Sequence, residues 1–176
     1  DDEQWVSQLH GWAQALPRPK AVLMISAHWE ERPLTVGATR TVPLIYDFYG
    51  FPAEYYQVTY EAPGAPELAQ RVRELLLPSQ QVAEAPDRGL DHGAWGVLIA
   101  MYPDASVPVV QLSLDTTQPG AFHYALAKSL APLAEAFARR GVKGARVLVP
   151  ASTRARDELV RELSERGAQV EVVGAY

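Results

Sequence analysis

Apolar runs alternate along the chain with segments whose apolar residues recur at helical spacing. A continuous apolar run at 21–27 predicts a strand buried on both faces, as in a parallel sheet, and two further buried strands are predicted at 107–114 and 145–150. Shorter or weaker strand candidates lie at 34–38, 81–83 and 169–173. Helical spacing predicts helices at 5–16, 66–77, 91–101, 121–140 and 155–166. This alternation predicts an α/β fold, a three-layer sandwich with a mostly parallel central sheet and helices on both faces.

The segment 43–64 breaks this pattern, because it is long, irregular and rich in Pro, Gly and Tyr. Long irregular segments in compact domains are often functional. Tyr46 and Asp47 lie in it beside further aromatic residues, which could wall a pocket for a flat substrate. A small satellite core built from the same aromatic rings is an equally good interpretation.

Composition narrows the function classes. The chain has 176 residues, 48% of them apolar and 21% charged, which suits one compact α/β domain. Its formal net charge of -5 predicts no binding to nucleic acid or to an anionic membrane. The absence of cysteine excludes disulfides, thiolate metal sites and a Cys nucleophile, and it is compatible with a cytoplasmic protein. The run at 21–27 is too short to span a bilayer.

Histidines are the residues best suited to carry chemistry here. His28 follows a predicted buried strand, and ligands bind at the carboxyl ends of strands in open α/β sheets. Imidazole is the commonest metal ligand, although a lone histidine in this position more often bonds to backbone. His92 follows Asp91, a predicted helix N-cap, and could donate a proton at a pocket mouth or be a spectator. We expect His28 and His92 to lie on the same rim of the sheet. His123 lies inside a predicted helix, where a partly buried structural role is the simpler interpretation.

Several motifs occur in an order that resembles one enzyme family. They lie at 16–21, 25–30, 45–52, 60–64, 89–98, 101–104, 108–115 and 122–124. Together they resemble the DOPA-dioxygenase type of extradiol, LigB-like aromatic ring-opening dioxygenases. The resemblance covers the chain from its first residue to about residue 133.

The resemblance implies roles for individual residues. His28 corresponds to a metal ligand of the family's Ser-Ala-His-Trp motif, and His92 corresponds to an active-site histidine of its Asp-His-Gly motif. Tyr46, Asp47 and His123 are the predicted substrate contacts. The implied metal is Fe(II), or Zn(II) in isolated protein. The implied partners are a small aromatic diol and oxygen, and a homo-oligomer is compatible with them.

The sequence also departs from the family. The family has a further ligand in an upstream Gly-His-Gly-Ser-Pro motif, a catalytic histidine in a His-Asn-Leu motif and a third ligand near its C-terminus. None of these motifs occurs in this sequence. Catalytic metal sites normally take about three protein ligands. The isolated chain is therefore predicted to be an incomplete or inactive dioxygenase.

The tail resembles a different family. Residues 134–176 resemble one strand-helix-strand unit of uroporphyrinogen-III synthase, an α/β enzyme of haem biosynthesis. We therefore predict a dioxygenase-like region at 1–133 and a second unit at 134–176, packed in the same domain as an apparent chimera. Two alternatives stay open, a chimeric or designed scaffold without activity and a fragment of uroporphyrinogen-III synthase.

Overall fold

The computed structural model describes residues 2–138, 146–151 and 169–174. Its helices are α1 (Asp2–Ala15), α2 (Pro66–Leu76), α3 (His92–Met101) and α4 (Gly120–Ala138), with a short 3-10 helix at Ala53–Gln57. Its strands are β1 (Val22–Glu30), β2 (Leu34–Gly37), β3 (Val82–Ala85), β4 (Val109–Leu114), β5 (Arg146–Ala151) and β6 (Gln169–Gly174). The predicted elements are present within a few residues of their expected bounds, except that the helix predicted at 155–166 lies outside the described residues.

Four strands form one sheet in the order β1-β4-β2-β3. The pairs β1/β4 and β2/β3 are parallel, while β2 and β4 are antiparallel. A separate pair, β5 and β6, is parallel. The predicted α/β fold with a mostly parallel sheet is confirmed.

The strand β4 shows that this sheet is covered on both faces. Side chains alternate between the faces of a strand, so Val109 and Gln111 lie on one side and Val110 and Leu112 on the other. All four are at most 3% exposed. Val109 belongs to the same core cluster as Trp95 and Leu98 of α3, while α2 contacts β2 and β4. Helices therefore cover both faces at the centre of the sheet.

The strand β1 differs from its prediction. Its continuous apolar sequence predicted burial on both faces, yet β1 lies at the sheet edge and Ile25 is 48% exposed. The prediction was wrong because an apolar run does not distinguish a central strand from an edge strand. The weaker candidate at 34–38 is the more central one, since β2 lies between β4 and β3 and is buried along its whole length.

The chain divides into two compact units, Asp1–Ser129 and Leu130–Tyr176. The first contains the four-stranded sheet, and the second contains β5 and β6. The domain boundary predicted at 133/134 and the resemblance of the tail to a second family both stay predictions. No helix in the described ranges is long and apolar enough to cross a membrane.

Candidate functional site

His28 lies near the carboxyl end of β1. The regular pairing of β1 with β4 is interrupted between Ile25 and Glu30, so His28 leaves the ladder shortly before the strand ends. Its backbone N–H donates to Ser26 Oγ at 3.2 Å. Its side chain is 42% exposed. The imidazole is therefore accessible rather than enclosed by hydrocarbon, as a metal ligand at a strand exit must be.

His92 is the first residue of α3 and lies beside His28. Asp91 is the N-cap of α3, and its side chain accepts a hydrogen bond from the Ala94 backbone N–H at 3.1 Å, as predicted. The centroids of the two imidazole rings are 4.2 Å apart, with their planes at 63°. The structure thus confirms the expectation that His28 and His92 share one rim, although their roles stay predictions.

Gly93 permits the close approach of α3 to β1. A Cβ atom on Gly93 would lie 2.7 Å from His28 Cδ2 and 2.7 Å from Ser26 Oγ, closer than such atoms pack. No other residue fits this position without displacing the His28 ring. The Asp-His-Gly sequence therefore combines a helix cap, an imidazole and the space for a second imidazole.

Asp47 joins the two histidines. Its Oδ1 accepts from the His92 backbone N–H at 2.9 Å and lies 2.8 Å from His92 Nδ1. Its Oδ2 lies 3.0 Å from His28 Nδ1. Burial raises the pKa of Asp47, but the hydrogen bonds from the backbone and side chain of His92 lower it, and the net pKa is below its ordinary value. Asp47 is therefore ionised at neutral pH and places a negative charge between the rings.

These three residues form the metal-binding candidate of the described part of the chain. His28, Asp47 and His92 each offer a ligand atom, and these atoms lie within 4.8 Å of one another. Two imidazoles and one carboxylate are donors that non-haem iron sites use, and zinc accepts the same types. The donor set thus fits a divalent metal ion. It reaches three donors only if the Asp47 carboxylate binds the ion directly.

A buried polar network underlies the two histidines. Asp91 is fully buried. It accepts from Ser26 Oγ at 2.7 Å and from Gln111 Nε2, and Arg88 Nη2 lies 3.5 Å from its Oδ2. Arg88 also lies over the Trp29 ring at 4.1 Å from the ring centroid. The sequence predicted only a helix-capping role for Asp91. Ser26 and Gln111, two polar residues inside otherwise apolar strands, could have indicated this network.

The aromatic residues of segment 43–64 form a cluster beside the histidines. Tyr46 packs against Phe48 and Trp95 at ring-centroid distances of 6.2 and 6.0 Å, and its hydroxyl donates to the Val58 carbonyl. Phe48 contacts the His92 ring edge to face at 5.3 Å. Tyr49 in contrast is 90% exposed. Tyr46 thus packs in a small satellite core, one of the two interpretations that the sequence left open. Phe48 is the aromatic ring that contacts the site.

His123 is not brought into the cluster. It lies on α4, half-buried, and its closest ring neighbour is Phe122 at 5.3 Å. Its Nε2 is buried without a hydrogen-bond partner among the described residues. A cleft of about 480 Å³ lies near Phe122 and contains none of the three donors; it is lined by Arg32, Pro33, Leu34, Gln80, Gln81, Asp115, Gln118 and Phe122.

Comparison with known proteins identifies a family. Residues 3–152 match the family described as the catalytic LigB subunit of aromatic ring-opening dioxygenase. This match continues past residue 133, where the sequence predicted a change of family, and includes β5.

Curated relatives and a solved structure agree with this match. The chain is 46% identical over 133 residues to "4,5-DOPA dioxygenase extradiol" of Escherichia coli K12, covering 76% of this chain and 49% of the relative. It is 48% identical over 129 residues to the protein of the same name from Beta vulgaris, covering 71% and 48%. A crystal structure of an uncharacterized protein from Escherichia coli K12 matches with a TM-score of 0.62 and 42% identity, covering 74% of this chain and 48% of that one. The chain therefore spans about half the length of the curated relatives it matches.

Proposed function

Since the chain belongs to the family of the catalytic LigB subunit of aromatic ring-opening dioxygenase, we propose that its site opens the ring of a catechol with oxygen, by extradiol cleavage. The observation that carries this proposal is the group formed by His28, Asp47 and His92, whose donor atoms lie within 4.8 Å of one another. Two curated relatives carry the name 4,5-DOPA dioxygenase extradiol, so DOPA is the first catechol to test.

The proposed metal is Fe(II), with His28 as a ligand. Zn(II) accepts the same donors but has no redox chemistry, so a zinc-loaded site would bind catechol without opening it. A bound ion of this kind supplies charge stabilisation and a template on which the diol and oxygen meet. The half-exposed His28 imidazole can reach such an ion without unfolding any of the sheet.

His92 is the proposed acid/base group. Imidazole exchanges protons near neutral pH more readily than other side chains, and a catechol must lose a phenolic proton before its ring is opened. Asp47 holds the His92 ring by its Nδ1, and the Phe48 ring holds it by an edge-to-face contact. Substrate contacts by Tyr46, Asp47 and His123 stay predictions, as does the sequence-based expectation that this chain carries an incomplete site.

Anaerobic loading with Fe(II), followed by DOPA and then air, tests the proposal. A yellow ring-opened product is expected in proportion to bound iron. Its formation is expected to be slow, because a single chain with at most three donors carries a minimal ligand set. The matched control is the same protein loaded with Zn(II), which should bind DOPA and form no product. Iron bound one to one with no product, or equal product from both metals, would contradict the proposal.

A further inference from the structure

Asp47 contacts both imidazoles, and both of its carboxylate oxygens take part. Its Oδ1 receives the His92 backbone N–H at 2.9 Å and faces His92 Nδ1 at 2.8 Å. Its Oδ2 faces His28 Nδ1 at 3.0 Å. Both carboxylate oxygens are therefore occupied by nitrogen atoms of the two rings and of one backbone amide.

The segment around Asp47 is fixed on both sides of this residue. The Ile45 backbone N–H donates to the Leu90 carbonyl at 2.9 Å, and the Ile45 carbonyl accepts from Trp95 Nε1 at 3.1 Å. Phe48 follows and packs on the His92 ring at 5.3 Å. The carboxylate is thus held in place by the bonds that join Ile45 to Leu90 and to the Trp95 side chain, and its position does not depend on a bound ion.

These contacts determine which ring nitrogen carries the proton. An ionised carboxylate can only accept hydrogen bonds. A nitrogen lone pair facing its oxygen at 2.8 or 3.0 Å would be repelled, so Nδ1 of each ring must carry hydrogen. A neutral imidazole with Nδ1–H has its lone pair on Nε2. Neither Nε2 has a hydrogen-bond partner within the part of the chain that the structure describes.

We propose that Asp47 is a positioning residue that holds both His28 and His92 in the Nδ1–H tautomer, so that both Nε2 atoms are available for the metal and for proton transfer. Metal-binding histidines commonly donate their second N–H to a carboxylate, which fixes both ring orientation and tautomer. Here one carboxylate serves two rings with different tasks. The assignment of the Nε2 atoms to metal binding and proton transfer rests on the proposed function, whereas the assignment of the tautomers does not.

Ring-labelled 15N-histidine NMR of the metal-free protein tests this directly. Long-range 1H–15N spectra, recorded over an alkaline pH series, distinguish the two neutral tautomers from each other and from the doubly protonated ring. Protonated Nδ1 and unprotonated Nε2 are expected for both His28 and His92. His10, exposed on α1, is the internal reference for an imidazole in water. A protonated Nε2 in either His28 or His92 would overturn the proposal, and it would favour Asp47 and Nδ1 as direct metal ligands.

The variant Asp47→Asn is the second test. The asparagine side chain has nearly the shape of the aspartate side chain, but its NH₂ group would face one ring nitrogen that previously faced a carboxylate oxygen. At least one of the two rings is expected to change to the Nε2–H tautomer, with His10 unchanged. Zn(II) affinity should fall about 10–100-fold, the usual loss for such a partner. Asp87→Asn is the matched control, because Asp87 is an exposed carboxylate paired with Arg40. Unchanged tautomers in Asp47→Asn would overturn the proposal.

The two proposals can fail separately. Nδ1–H tautomers in a protein that binds iron but leaves catechols intact would refute the proposed function and leave the role of Asp47 standing. Ring opening by a protein whose His28 or His92 carries hydrogen on Nε2 would refute the role of Asp47 and leave the proposed function standing.

Discussion

His28→Ala is expected to weaken Fe(II) and Zn(II) binding by more than about 100-fold, since even the loss of an outer partner of a metal ligand costs about 10–100-fold. The ring-opened product should be lost with the iron. The fold should survive, because the His28 side chain is 42% exposed. Isothermal titration with Zn(II), with circular dichroism on the same sample, measures both effects.

His10→Ala is the matched control for this change. His10 is exposed on α1, and neither its side chain nor its backbone belongs to the group of three donors. Metal affinity should be unchanged in this variant. Equal metal binding by His28→Ala and the unmodified protein would show that His28 is not a ligand.

Asp91→Ala is expected to lower the free energy of unfolding by about 3–5 kcal/mol, the usual cost of removing one partner of a buried ion pair. Asp91 is fully buried and accepts from Ser26 and Gln111. The Arg88 side chain, only 18% exposed, would lose the carboxylate that faces it at 3.5 Å. Burial lowers the pKa of Arg88 while Asp91 raises it. Since an arginine stays protonated in proteins, removing Asp91 would leave a largely buried cation without its carboxylate partner.

Urea unfolding followed by circular dichroism measures this loss. Asp87→Ala is the control, because it also removes an aspartate paired with an arginine, but at the surface, where such pairs contribute little. The metal site should weaken along with the fold in Asp91→Ala, since Ser26 and the start of α3 both lose their shared acceptor. A loss no larger than that of Asp87→Ala would show that the buried network does not support the site.

Much of the fold could be predicted because its signals are local. Apolar runs and helical spacing located the strands of the four-stranded sheet, and Asp91 was recognised as an N-cap from its position before an apolar helix. The edge position of β1 could not be predicted, because it depends on which strands pair and not on the composition of any one of them.

Part of the site could also be predicted from local sequence signals. His28 and His92 could be placed at one rim, since a strand exit and a helix start both face the same edge of an α/β sheet. The position of Asp47 between them depends on the course of an irregular segment, which has no periodicity to interpret. The Asp91 network depends on contacts between residues far apart in sequence, such as Ser26 and Gln111.

The most direct test of the metal site is anomalous diffraction from crystals of the protein soaked in Zn(II), recorded at the zinc absorption edge. We predict an anomalous peak about 2.0–2.1 Å from a ring nitrogen of His28, the ordinary zinc–imidazole distance. A peak elsewhere in the molecule, with the His28 and His92 rings still in place and no metal beside them, would contradict the assignment.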